Sequence, residues 1–141
     1  MKNGNFFPPE FKEFPFKKGD ILAYKNGSGA YTLDKIIAVD KISVPQGTEI
    51  SILGQVFVSD EDDWLYVIGH SVGEEIFENL DDARDAAFLG AWDVKIGHIP
   101  NRAPSAGENK IWVGNTHITE EELERHAEWK NAFEQKRAGI F

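Results

Sequence analysis

The sequence predicts an α+β fold in which an antiparallel sheet is accompanied by a short middle helix and a C-terminal amphipathic helix. Three observations predict it. Runs of β-branched and aromatic residues, punctuated by Gly, Asn and Pro, fill residues 19–68. An Ala-rich segment with helix start and stop signals follows at 79–90, and a capping box opens the C-terminal segment. With 141 residues, 41% of them hydrophobic, the chain has the length and composition for one folded core. Residues 19–141 are therefore expected to form a single α+β domain.

Residues 1–18 read differently. Phe6, Phe7, Phe11, Phe14 and Phe16 alternate with Pro8, Pro9 and Pro15, and proline both forbids helix and biases the preceding residue toward extended backbone. An extended Phe/Pro-rich arm is expected, packed on the chain's own core, because exposed Phe in such number invites aggregation. Docking on a partner chain is the alternative.

The strands follow in order. Ile21–Tyr24 and Ala30–Val39 flank Lys25-Asn26-Gly27-Ser28-Gly29, whose Asn and Gly suit a tight reversal, so a hairpin is expected. Pro45 and Gly47 mark the next turn. Glu49–Val58 reads as a third strand with a bulge at Gly54, and Trp64–Ile68 as a fourth, giving a meander. Trp92–Ile99 alternates like a further strand, Pro100–Lys110 has loop composition, and Ile111–Gly114 makes one more short strand.

Two helices are specified by their ends. Asn79 can cap the first, Asp81 and Asp82 suit its N-terminal dipole, Ala83, Ala86 and Ala87 propagate it, and Gly90 can stop it. The second begins at Thr119-Glu120-Glu121-Glu122, a capping box, with Ile118 and Leu123 as its hydrophobic staple. Leu123, His126, Ala127, Trp129 and Phe133 fall on one stripe of an ideal helix, which is the face expected to pack. The helix is expected to end near Arg137, with Gly139 in the left-handed conformation and Ile140-Phe141 folding back.

Charge is distributed unevenly. The chain has 15 Lys plus Arg against 24 Asp plus Glu, a net charge of −9, and the excess is concentrated between residues 60 and 85. Asp60, Glu61, Asp62, Asp63, Glu74, Glu75, Glu78, Asp81, Asp82 and Asp85 lie there with Arg84 as the sole cation. Such a field repels phosphate backbones, which excludes nucleic acid as a partner class, and it steers basic protein surfaces. A solvated, solubilising face is the competing explanation. Trp64 and Tyr66, beside the acidic turn, are candidate anchors for a docked partner, the alternative being core aromatics.

Other chemistries find no motif. With no Cys, thiol nucleophiles, thiolate metal sites and disulfides are closed. His70, His98, His117 and His126 are not at the spacing of a local metal motif, and Asp60–Asp63 lacks the Gly and Glu positions of a calcium loop. No phosphate-binding loop, dinucleotide fingerprint or nucleophile elbow is present. No metal or cofactor is expected. No apolar run suits a membrane span and the N-terminus lacks a secretory pattern, so a soluble cytoplasmic protein is expected. His126 falls in the apolar stripe, where a histidine held by a hydrogen-bond partner is the ordinary reading.

Lys18-Gly19-Asp20-Ile21-Leu22-Ala23-Tyr24 with Gly29-Ala30-Tyr31, then Phe77-Glu78-Asn79-Leu80-Asp81-Asp82-Ala83 and Ile118-Thr119-Glu120-Glu121-Glu122-Leu123, resemble segments of small bacterial immunity proteins encoded beside polymorphic toxins. The resemblance implies a strongly bent, SH3-like barrel or half-barrel without catalysis that binds and blocks one cognate toxin. It transfers no catalytic residues, and neither the acidic middle nor the arm belongs to the pattern. The resulting expectation is a non-enzymatic acidic binding module that docks a basic protein surface through Asp60–Asp63 and Glu74–Asp85. Two rivals stand beside it: a small hydrolase or lyase using His98 or His117 with a carboxylate, and an oligomer component paired through the arm. Convergence of two His, or of one His and an acid, in a concave site distinguishes the hydrolase.

Overall fold

The computed structural model describes residues 15–102, 106, 109–135 and 137–140. The chain order is β1 (Asp20–Lys25), β2 (Tyr31–Val44), β3 (Glu49–Ile52), β4 (Gln55–Val58), β5 (Asp63–Gly73), α1 (Leu80–Leu89), β6 (Val94–Arg102), β7 (Lys110–Asn115) and α2 (Glu120–Glu134). The predicted α+β class is the observed one: a five-stranded antiparallel sheet in the order β6-β5-β2-β1-β7, a separate β3-β4 hairpin, and the two helices. Among the described residues β6 and β7 do not pair, so the sheet is open and not a closed barrel. Register shifts in the β1-β7, β2-β5 and β5-β6 pairs are the bulges that bend it.

Alternation along the strands makes two buried faces. Ile21, Ala23 and Leu33 pack under Ala83, Ala86 and Ala87 of α1, whose small side chains let the helix sit close to the sheet. Leu22 and Ile36, pointing the other way, join Ile68, Ala106 and Phe16. Farther along the sheet, Val44, Ile50, Ile52, Leu65 and Val67 enclose Trp129 of α2 and Ile140. Of the predicted arm, residues 1–14 lie outside the described residues; Phe16 packs on the chain's own core.

Several expected boundaries are corrected. Glu49–Val58 is two strands and not one, because Leu53 (φ 52°) and Gly54 (φ 76°) form the left-handed pair that a two-residue hairpin turn requires. The β2 and β5 strands run well past Val39 and Ile68 and pair along most of their length. The β6 strand continues through Pro100, tolerated at a sheet edge where a missing N–H costs no ladder bond. Helix α2 is capped at Gln135, before Arg137, and Gly139 is not left-handed; a Cβ there would stand 3.0 Å from Ser51 O. Ile140 does fold back: its N–H donates to Ser51 O at 2.9 Å and its carbonyl accepts from Leu53 N at 2.7 Å.

The helix starts match the chemistry of their sequences. Asn79 Oδ1 accepts from Asp82 N at 2.9 Å, and Gly90 closes α1 with φ 67°. In α2 the Thr119 N–H donates to Glu122 Oε1 at 2.9 Å while Glu122 N–H donates to Thr119 Oγ1 at 3.2 Å. The packing face of α2 is only one edge of the expected stripe. Leu123 and Ala127 are exposed, and the inward positions are Glu122, His126, Trp129 and Phe133. Glu122 and His126 replace apolar contact over the first two turns, so the packed face is rotated away from Leu123 and Ala127 toward Glu122.

Candidate functional site

The predicted acidic residues divide between the two ends of β5. Asp60, Glu61, Asp62 and Asp63 form the turn that enters the strand, whereas Glu74, Glu75, Glu78, Asp81, Asp82 and Asp85 follow its exit. An extended strand of 11 residues spans roughly 35 Å, so the structure does not bring the two groups together along this strand. At the first end, Asp62 Oδ1 accepts from Gln46 N at 2.9 Å, and buried Asp63 accepts from Trp64 N at 2.8 Å. These two carboxylates order the turn. Trp64 and Tyr66 are half-buried, edge to face at 5.2 Å, with the Lys41 ammonium 3.6 Å above the Trp64 ring.

At the second end every predicted carboxylate is exposed. Because α1 buries Ala83, Ala86 and Ala87, its outer side carries Asp81, Asp82 and Asp85 together with Phe88 and Leu89, which are 85% and 74% exposed. Those two apolar side chains rim a groove of about 650 Å³ between the end of α1, β6 and the start of α2. Trp92 and Val94 extend its apolar wall, and Lys35 with Glu122 lines it. The Lys35 ammonium donates to Glu122 Oε1 at 2.9 Å and to His117 O at 2.6 Å. Burial alone would raise the Glu122 pKa; the Thr119 amide and Lys35 outweigh it and hold the carboxyl below its ordinary value.

A second constellation contains His98, which the sequence offered beside a carboxylate, with partners the sequence did not name. His98 on β6, His126 on α2 and Asp40 on β2 form a chain: His98 Nε2 lies 2.9 Å from His126 Nδ1, and His126 Nε2 lies 2.7 Å from Asp40 Oδ2. Lys130 flanks Asp40 at 3.7 Å, and Trp129 lies with its ring centroid 5.7 Å from each imidazole. The His126 contact holds the Asp40 carboxyl below its ordinary range. Burial, then the neighbouring His126 and His70, push His98 down to about 4. When His126 is neutral with Nε2–H directed at Asp40, its Nδ1 accepts from His98 Nε2–H; when it is protonated, Nδ1–H donates to His98 Nε2, and in both cases only Nδ1 of His98 is left for another group. No signal marks this chain in sequence, since its members lie on three separate elements. His117 does not join it; its ring is exposed.

A further polar band crosses the opposite face. Asp34 is buried between Lys110 and His70, with His70 Nδ1 at 3.4 Å, and His70 Nε2 lies 2.6 Å from Asn101 Nδ2. Burial raises the Asp34 pKa, but the His70 contact and the Lys110 charge together bring it below its ordinary value. Among the described residues no cluster of three His, Asp or Glu is arranged to hold a metal ion, and no helix is long and apolar enough to cross a membrane. Compared with known proteins, the chain matches no family model, no curated sequence and no solved structure.

Proposed function

We propose that this chain is a non-catalytic binding module that docks a basic protein surface, acting as an immunity-type inhibitor of a cognate toxin. One observation carries the reading: a single exposed face of α1 combines Asp81, Asp82 and Asp85 with Phe88 and Leu89 above the adjoining groove. Exposed apolar area rimmed by like charge is the composition of a docking site, with carboxylates steering encounter and buried aromatic area setting residence time. Glu74, Glu75 and Glu78 extend the same field, whereas Asp60–Asp63 forms a separate acidic turn. The toxin as partner rests on the sequence resemblance; the basic character of the partner rests on charge complementarity. Co-expression with the product of the adjacent reading frame tests it. A stable complex, lost when Phe88→Ala is combined with charge reversal at Asp81, Asp82 and Asp85, supports the proposal; a complex indifferent to those changes contradicts it.

The His98–His126–Asp40 chain favours a second reading, proton-transfer chemistry at His98, because an acid and two His converge within hydrogen-bond reach. The depressed basicity of His98 weakens it as a base near neutrality. Turnover of a p-nitrophenyl ester that disappears in His98→Gln would support this reading, and no turnover by the unaltered chain would end it.

A further inference from the structure

The β3-β4 hairpin has one edge occupied and one edge open. Its two-residue turn makes Ile52 and Gln55 a hydrogen-bonded pair, and alternation along the ladder does the same for Ile50 and Phe57. The backbone groups of Ser51 on β3, and of Val56 and Val58 on β4, therefore point away from the hairpin. On the β3 side they are used, since Ser51 O accepts from Ile140 N at 2.9 Å. On the β4 side, the N–H and C=O groups of Val56 and Val58 meet no strand among the described residues, and the two side chains are 66% and 55% exposed. Phe57 turns the other way, onto the core that holds Trp129.

Open edges are ordinarily guarded by charge, proline or a bulge. Strand β6 carries Lys95 and Pro100, and β7 begins at Lys110 and pairs with β1 through a register shift. Strand β4, Gln55-Val56-Phe57-Val58, has none of these. Its charge comes just afterwards, in Asp60, Glu61 and Asp62, of which Asp60 and Asp62 are exposed. Self-pairing of antiparallel β4 strands would set those carboxylates against the uncharged Leu53-Gly54-Gln55 tip, whereas a basic segment meets them with opposite charge.

We infer that β4 is the docking edge for an extended segment of a basic partner, which runs antiparallel to it and pairs with Val56 and Val58 through backbone hydrogen bonds. Lys or Arg at the N-terminal end of that segment meets Asp60 and Asp62. Main-chain pairing supplies affinity, the exposed valines favour β-branched neighbours, and the acidic turn fixes direction. The inference rests on the reading of the partner as basic but not on the α1 face, and it gives the separate acidic turn a role.

The probe is the hexapeptide acetyl-Lys-Lys-Val-Thr-Val-Thr-amide, followed through the amide resonances of Val56 and Val58 in the full chain. Both should shift saturably and exchange more slowly with solvent. A version with Glu in place of both Lys should bind at least about tenfold more weakly at low salt, the gap closing as salt is added. Val56→Pro removes one outward N–H without touching the β3 ladder and should abolish binding. Val56→Lys changes only an exposed side chain and keeps that N–H; it should weaken the Lys peptide and strengthen the Glu peptide. Replacing Asp81, Asp82 and Asp85 with Lys should leave peptide binding unchanged, so failure of the α1 face and failure of this edge are read separately. Resonances unmoved by millimolar Lys peptide, equal binding of the two peptides at low salt, or undiminished binding to Val56→Pro would each overturn the proposal. So would a concentration-dependent shift of the same amides without peptide, the mark of a second copy on the edge.

Discussion

Gly69 of β5 and His98 of β6 share a space that only a glycine leaves open: a Cβ at position 69 would collide with His98 Nε2 and stand 3.1 Å from His126 Nδ1. The missing side chain is what allows the two imidazoles to meet over the sheet, and through them α2 is tied to β6 and β2. Gly69→Ala should therefore break the pair and destabilise the fold by about 1–3 kcal/mol, the cost of overpacking a filled site. Urea denaturation measures this; an unchanged midpoint would mean that the imidazoles yield freely.

The same pair predicts a pH dependence. In the unfolded chain His98 takes its proton near its ordinary value of 6.5, but in the fold only near 4. The unfolded state thus binds more protons between those values, and stability falls as pH drops through 6.5 toward 4. One group contributes at most roughly 1.4 kcal/mol per pH unit between those values, and exposure of part of the ring to solvent narrows the window over which it does so. Asp40, Asp34 and Glu122, whose pKa values are lowered, add their own loss at more acidic pH as they protonate. Denaturation midpoints measured across this range should vary less in His98→Gln than in the unaltered chain; equal variation would remove His98 as the source.

Lys35 and Glu122 form the first tie between α2 and the sheet, and both side chains are largely buried. Lys35→Met strands the Glu122 carboxylate and should cost about 3 kcal/mol, whereas the double change Lys35→Met with Glu122→Leu should recover part of that loss. A double-mutant cycle in denaturant reads the coupling directly, and a value near zero would show that the helix is held elsewhere.

Leu53 has φ 52° and is 73% exposed at the turn between β3 and β4. Leu53→Asn creates the Asn-Gly pair that such a turn favours and should stabilise the chain by about 0.5–1 kcal/mol, seen as a higher melting temperature. Destabilisation would mean that the Leu side chain contributes packing that its exposure does not suggest.

Much of the fold was legible because its signals are local. The Asn79 and Gly90 caps, the Thr119–Glu122 capping box and the β1-β2 hairpin each depend on residues within a few positions of one another. The β3-β4 turn was not legible, since nothing about Leu53 announces a left-handed backbone. The edge of the α2 face was misread for a related reason: Glu122 turns inward to meet Lys35, and His126 finds Asp40, both partners far away in sequence. The acidic segment was legible as composition, but its division between the two ends of β5 depends on how far that strand extends past Ile68.

The binding role proposed for the α1 face is tested most directly on the product of the adjacent reading frame, by its association rate with this chain at low and high salt. Replacing Asp81, Asp82 and Asp85 with Lys is expected to slow association about tenfold or more at low salt, with the difference shrinking as salt screens the charges. Phe88→Ala should instead shorten the lifetime of the complex and leave the association rate nearly unchanged. Equal association rates for the charge-reversed and unaltered chains at every salt concentration would contradict the account.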